Sequence, residues 1–264
     1  MKRISIIIIA VCGLLAMAWA THFSIPLTGE KMTVIGGRIY LSEPPYTYTK
    51  LLSHFDGTDG ATTYTAETGQ TISFVATAQL DTADKEFGTA SLLLDGNSDY
   101  VTVSDSSDYD FGSENFTIDF WTSIAAGGYT NRFGWMGTLQ QVPATRVGWN
   151  IAPDGEYPII DMAFRYYDSG TNYSYIITNN VSTGWHHLAF VKKGTETNGF
   201  GIAVDGAFQW FSGNFTIGSS QKFIVGREFQ DYDGFYYRGW IDELRISKGI
   251  ARWTDNFTPP TNPY

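Results

Sequence analysis

Gly239-Trp240-Ile241-Asp242-Glu243-Leu244-Arg245-Ile246-Ser247 is the stretch that decides the fold. Trp240, Leu244 and Ile246 fall at even spacing with Glu243, Arg245 and Ser247 between them, the alternation of a strand that buries one face. A short helical turn is expected at Lys248–Trp253. Thr258-Pro259-Pro260 then ends regular structure, because proline lacks the N–H that a ladder or helix needs. Working back from this strand, runs rich in Val, Ile, Phe, Tyr and Trp recur about every ten residues with Gly, Asn, Asp and Pro between them, the pattern of a sandwich or jelly roll. The expected strands cover 90–95, 100–103, 116–123, 146–151, 159–166, 173–178, 185–192, 200–204, 222–226 and 239–247. Apart from residues 4–16, no long segment carries a helical period.

The N-terminus reads differently. Met1-Lys2-Arg3 is a basic start, Ile4 to Ala16 is nearly all apolar, and Ala18-Trp19-Ala20 meets the small-x-small cleavage rule. Residues 1–20 are therefore expected to be a secretory signal peptide, with Thr21 as the mature N-terminus; the alternative is an uncleaved anchor, the only route by which this chain would meet a membrane. The single cysteine, Cys12, lies in that leader. A mature chain of this length can bury a large core without disulfides. Formal net charge is −10 over the whole chain, and no basic run follows the leader, which argues against a nucleic-acid partner. Residues 21–50 read as an N-terminal arm or hairpin, with Met32–Ile35 and Arg38–Leu41 flanking Gly36-Gly37.

Five segments in register carry a family resemblance. Leu51-Leu52-Ser53-His54-Phe55-Asp56-Gly57 looks like an opening strand. Phe87-Gly88-Thr89-Ala90-Ser91-Leu92-Leu93-Leu94-Asp95-Gly96 with Asp99-Tyr100-Val101 looks like a hairpin, and Phe116-Thr117-Ile118-Asp119-Phe120-Trp121 like a core strand. Gly184-Trp185-His186-His187-Leu188-Ala189-Phe190 and Ile202-Ala203-Val204-Asp205-Gly206 follow, ahead of the closing strand. The set resembles the laminin G-like, concanavalin A-like lectin domains of bacterial surface and phage structural proteins, over residues 51–264. The resemblance implies an all-β jelly-roll sandwich of two antiparallel sheets, whose last strand pairs with the first, around Leu51 to Asp56.

It also implies chemistry to weigh. Glucanases of this fold set alternate acids along one strand as E-x-D-x-x-E, and no such string occurs here. Asp242 and Glu243 are neighbours, so a regular strand would send them to opposite faces. The same alternation separates His186 from His187, with one ring expected inside and one outside. No G-x-S-x-G context is present. The chain is read as non-catalytic, with a glycoside hydrolase as the third possibility. Relatives often bind Ca²⁺ at the sandwich edge, and the matching positions here are Asp56 and Asp242, with Glu67 displaced by one position in its loop.

The aromatic residues point to a ligand. Sixteen Tyr and eight Trp exceed what a core requires, and two clusters sit between strands. Tyr232, Tyr236 and Arg238 belong to the loop before the closing strand, and Tyr167 and Tyr173 to a second cluster. Rings beside Asp, Asn and Arg suit sugars, since a ring packs on C–H faces while polar groups bond hydroxyls. Packing within the sheets is the alternative use of such rings. The expected function is an exported, secreted or cell-surface recognition domain for a carbohydrate or cell-surface glycan. The rival is a structural adhesin or virion component contacting other protein copies through residues 21–50.

Overall fold

The computed structural model describes residues 24–27, 30–35, 38–42, 47–125, 133–139, 148–154, 161–168, 171–178, 181–217, 222–230 and 233–264, those before 47 as backbone. The chain divides into two compact units, Met1–Thr47 and Tyr48–Tyr264. The first holds β1 (Ser24–Leu27), β2 (Glu30–Ile35) and β3 (Arg38–Ser42), an antiparallel three-stranded sheet in which Ile35 pairs with Arg38 across Gly36-Gly37. The leader lies outside the described residues.

The second unit is a sandwich. Its strands begin with β4 (Thr49–Ser53), β5 (Thr63–Thr65), β6 (Thr71–Val75), β7 (Gln79–Asp81), β8 (Ser91–Asp95), β9 (Tyr100–Val103) and β10 (Phe116–Ile124). They continue with β11 (Met136–Gly137), β12 (Gly148–Asp154), β13 (Asp161–Asp168), β14 (Thr171–Ile177) and β15 (Gly184–Lys192). Last come β16 (Phe200–Val204), β17 (Ala207–Phe211), β18 (Phe223–Val225) and β19 (Arg238–Lys248). One sheet runs β17-β16-β15-β10-β19-β8-β7, with β4 also on β19; the other runs β14-β13-β12-β11-β18-β9-β6-β5. Every pairing between these strands is antiparallel, so the expected two-sheet jelly roll is what the chain forms. Between the sheets lie Phe116, Phe120, Phe164, Phe190 and Phe200, none with accessible surface, joined by Trp149 and Trp135. Each such aromatic contributes about 3 kcal/mol or more against truncation to Ala.

Strand β19 sits inside its sheet. One edge pairs with β10, while the other pairs first with β8 and then with β4, where Ile246 lies opposite Leu51. Two sequence expectations need correction. Trp240 does not share a face with Leu244 and Ile246: the register slips between Asp119 and Trp121, so that Glu243 and Leu244 together oppose Phe120. Glu243 takes φ 49°, a left-handed conformation unusual away from glycine, and forms a β-bulge. The bulge reverses the alternation, putting Ile241, Leu244 and Ile246 in the core and Trp240 outside, where its Nε1 donates to Asp81 at 2.8 Å.

The second correction concerns Lys248–Trp253, where no helical turn forms. The Arg252 N–H donates to Thr117 Oγ1 and the Gly249 N–H to the Asn115 carbonyl, so neither closes a helical ring. The tail instead lies along the outer face of the first sheet. Trp253 and Phe257 stack at 4.0 Å and pack with Ala189, Val191 and Ala203. Beneath the tail is a charged cluster. Arg245 donates from Nε and Nη2 to the two carboxylate oxygens of Asp119, at 3.1 and 2.8 Å. Its guanidinium lies 3.6 Å over the Tyr264 ring. The Tyr264 hydroxyl is 2.9 Å from His187 Nε2, and the Tyr264 N–H donates to Glu243, which also holds His54 Nδ1 at 2.8 Å. Burial alone would raise the Asp119 carboxyl; the charges of Arg245 and His187 overcome it and hold the group at about 2.

Candidate ligand-binding site

The segment between β18 and β19 is tied down at both ends. The Gly226 N–H donates to the Trp135 carbonyl and the Tyr237 N–H to the Gly226 carbonyl, and Arg227 and Tyr236 form an antiparallel bridge. Gln230 closes the segment onto the sheet, its Nε2 donating to the Thr138 carbonyl at 2.6 Å. Gly234 (φ 139°) and Phe235 (φ 60°) then turn the chain. That turn sends three consecutive rings three ways. Phe235 packs on Phe229, Leu139 and Tyr167. Tyr237 is fully buried, its hydroxyl 2.6 Å from Thr122 Oγ1. Tyr236 stays half-buried at the rim.

Tyr236 is the centre of a small polar-aromatic array. Its hydroxyl donates to Asp233 at 2.5 Å, and its ring lies 6.3 Å from Tyr100. The Arg227 guanidinium lies 4.0 Å over Tyr100 and 5.9 Å from Tyr236, the arrangement of a cation–π stack. Partial burial raises the Tyr236 phenol, with the hydrogen bond to Asp233 adding to it and Arg227 opposing. Arg238 is exposed two residues further on, its stem beside Gly96, where a Cβ would come within 2.6 Å of the Arg238 Cβ. The structure thus brings Tyr236 and Arg238 to one rim and adds Tyr100, Arg227 and Asp233. Tyr232 lies outside the described residues.

Tyr167 and Tyr173 do not share a face: Tyr167 is buried under this loop, and Tyr173 lies on the other side of its sheet. Tyr173 pairs with Tyr166, and the two rings stack at 4.9 Å, with Tyr166 stacked in turn on Phe215 at the core side. Tyr167 points to the other face and is buried with Phe229. Alternation along β13 separates them.

Beside Tyr167 the sequence reading missed a buried polar row. Asn150 and Arg165 are register neighbours on the outer face of the second sheet. Asn150 Nδ2 donates to Glu228 at 3.0 Å, Arg165 Nη1 lies 3.9 Å from the same carboxylate, and Arg165 Nη2 donates to the Pro153 carbonyl. All three side chains are at least nine-tenths enclosed. The available signal was an arginine inside the apolar run Met162-Ala163-Phe164-Arg165-Tyr166, since an unpaired charge is not buried.

The two histidines separate as expected, but the enclosed one is on the outer face. His187 is buried beneath the tail. His186 holds Asp205 at 2.8 Å and Ser182 at 2.9 Å, and Asp205 also accepts the His187 N–H, which fastens the Asp205-Gly206 turn to β15.

Of the three residues expected around calcium, Asp56 and Asp242 hold the same turn, residues 86–89, and Glu67 lies beside Tyr64. Asp56 accepts the N–H and hydroxyl of Thr89. Glu67 is 3.5 Å from the Tyr64 hydroxyl. Asp242 is fully buried and accepts the N–H groups of Glu86 and Phe87 at one oxygen and of Glu243 at the other. Burial pushes the Asp242 carboxyl up to about 7, against those N–H donors and with Glu243 adding to the rise. Among the described residues no group of three or more His, Cys, Asp or Glu side chains is arranged to hold a metal ion.

Comparison with known proteins adds to this geometry. The model of the family described as concanavalin A-like lectin/glucanases superfamily matches residues 95–253. Domain 4 of AbnA, a GH43 extracellular arabinanase from Geobacillus stearothermophilus solved with arabinotriose, is similar in structure. Its TM-score is 0.54 at 18% identity, with 77% of this chain and 94% of that one covered. The botulinum neurotoxin serotype D binding domain gives 0.55 at 15% identity, covering 77% of this chain. A botulinum neurotoxin type C structure, whose cell entry depends on two ganglioside molecules, gives 0.52 at 16% over 77%. The chain spans about half the length of the two toxin chains, 48% in each case. At these identities the likeness is one of fold. No curated protein matches the chain in sequence.

Proposed function

Because the chain belongs to the concanavalin A-like lectin/glucanase superfamily, which is matched over more than half its length, we propose that it is an exported, non-catalytic recognition module for a carbohydrate or cell-surface glycan. The ligand is held at the rim of Tyr100, Arg227, Asp233, Tyr236 and Arg238. The observation that carries this reading is the Tyr236 array: a half-buried ring backed by Tyr100 and Arg227, with an exposed acid and an exposed guanidinium on the same loop. Rigid loops between paired strands are where binding concentrates. The arabinotriose and ganglioside named for the similar structures support a sugar as the ligand class.

The test is a glycan array followed by calorimetry on the best-bound sugar. Arg238→Ala and Tyr236→Ala are expected to lower affinity at least tenfold. Arg238→Ala, an exposed position, should leave the melting temperature unchanged. Absence of any bound glycan, or affinity unchanged in both variants, removes the site; turnover of the bound sugar removes the non-catalytic part. The structural reading, as an adhesin or virion component, draws on a different observation, the exposed strand β14, and would add contacts between copies, including any through residues 21–50.

A further inference from the structure

The two sides of the sandwich end differently. On one side the sheets finish in β5 and β7, three residues each, with Asp81 in β7. Short strands and charges are how proteins keep open sheet edges from pairing. On the other side they finish in β14, Thr-Asn-Tyr-Ser-Tyr-Ile-Ile, and β17, Ala-Phe-Gln-Trp-Phe. Neither strand contains a charged residue, a proline or a glycine, in a chain whose formal net charge is −10. The two edges are stacked, since Tyr175 of β14 packs 5.2 Å from Phe211 of β17. Among the described residues, the two large hydrophobic side chains most open to solvent are Tyr173 (44%) and Ile176 (37%), and both lie on β14.

We propose that a second copy of this chain pairs with it through β14, antiparallel and about a two-fold axis, so that the second sheet continues from one subunit into the other. The strand suits itself as a partner. An axis at Ser174 sets Tyr173 opposite Tyr175 of the partner subunit on the core side, an aromatic pair of the kind already formed by Tyr166 and Tyr173. The outer N–H and C=O groups of β14, which pair with no other strand among the described residues, gain ladder partners, and Tyr173 and Ile176 leave water. Acidic copies repel one another in general, and a strand with no charge of its own is where approach is least opposed. A closed two-fold contact uses the same patch on both copies and stops at two.

The experiment is sedimentation velocity on the full chain over a wide concentration range, with Ile176→Lys and Tyr173→Lys beside it. A monomer–dimer equilibrium is expected, with both lysine variants monomeric; Ile176→Lys should keep the wild-type melting temperature, because an edge lysine there blocks pairing and touches little else, whereas Tyr173→Lys also gives up the stack on Tyr166 and should melt somewhat lower. In case a lysine variant does not fold, Ser174→Cys gives an independent readout. Mild oxidation should yield a dimer whose peptide map shows a 174–174 link rather than one through Cys12. A chain monomeric at every concentration, a dimer that persists in folded lysine variants, or a cross-link lacking residue 174 would overturn the proposal.

Discussion

Removing Asp119 should loosen the whole outer face of the first sheet, and the size of the effect can be worked from the structure. Asp119 is fully buried and takes both guanidinium hydrogen bonds of Arg245, whose side chain is 12% exposed. Asp119→Ala leaves that cation enclosed between the sheet and the Tyr264 ring without its counter-charge. Breaking a buried pair from one side costs about 3–5 kcal/mol. For a domain of this size that corresponds to a fall of about 6–20 °C in melting temperature. Asp119→Ala combined with Arg245→Met removes both charges, so the double variant should lose clearly less than the sum of the singles. There is also a pH signature. The folded Asp119 sits at about 2 against an ordinary 3.8, so its contribution, about 2 kcal/mol, is present above 3.8 and is lost as pH falls through 2. Asp242 works in another window. Held up to about 7, it keeps its proton where the unfolded carboxyl has lost it, so its contribution declines as pH rises from about 4 to 7. Thermal melts of wild type, both singles and the double, with acid titrations of wild type and Asp119→Ala, measure all of this. Additive losses, or an Asp119→Ala variant with the wild-type acid profile below 3.8, would refute the reasoning.

Two further outcomes are expected. Chelator should leave the melting temperature unchanged, because Asp242 is occupied by three backbone donors; a drop that Asp242→Ala abolishes would instead restore a calcium bridge to Asp56. Mass spectrometry of exported protein should find Thr21 first, and an intact segment 1–20 recovered with membranes would favour the anchored alternative.

The long inner strands were legible because their apolar residues alternate toward the core, although the tail buries the other face of Phe116–Ile124 as well: Phe116–Ile124, Gly184–Lys192 and Arg238–Lys248 extend the sequence expectations by one or two residues. The bulge at Glu243 was not, since two residues opposing one is a property of the partner's register and leaves no mark in composition. The strands at Gln79–Asp81 and Met136–Gly137 are also illegible: at three and two residues they exist because neighbours supply their hydrogen bonds. At the candidate site, Gly234 announced a turn, but the left-handed Phe235 that splays the three rings did not. Tyr100 joined Tyr236 only through the pairing of β9 with β18, segments distant in sequence, and Arg227 through a bridge across the loop. The helical turn expected at Lys248–Trp253 does not form because Thr117 of β10 and Asn115 just before it supply partners instead.

The central place of β19 has a kinetic consequence. Chains are made from the N-terminus, so β4, β8 and β10 are all available before the strand that joins them. The link between His54 and Glu243 spans 189 positions, and contacts of such separation are the slow ones to form. During synthesis the sheet is in three pieces, β17-β16-β15-β10, β8-β7 and β4 alone, each presenting raw edges that favour misassociation. Arrival of residues 238–264 joins the pieces and lays the aromatic strap over the outside in a single event. A chain built this way remains extensible and threadable until residues 238–264 have been made, and acquires resistance to unfolding only afterwards.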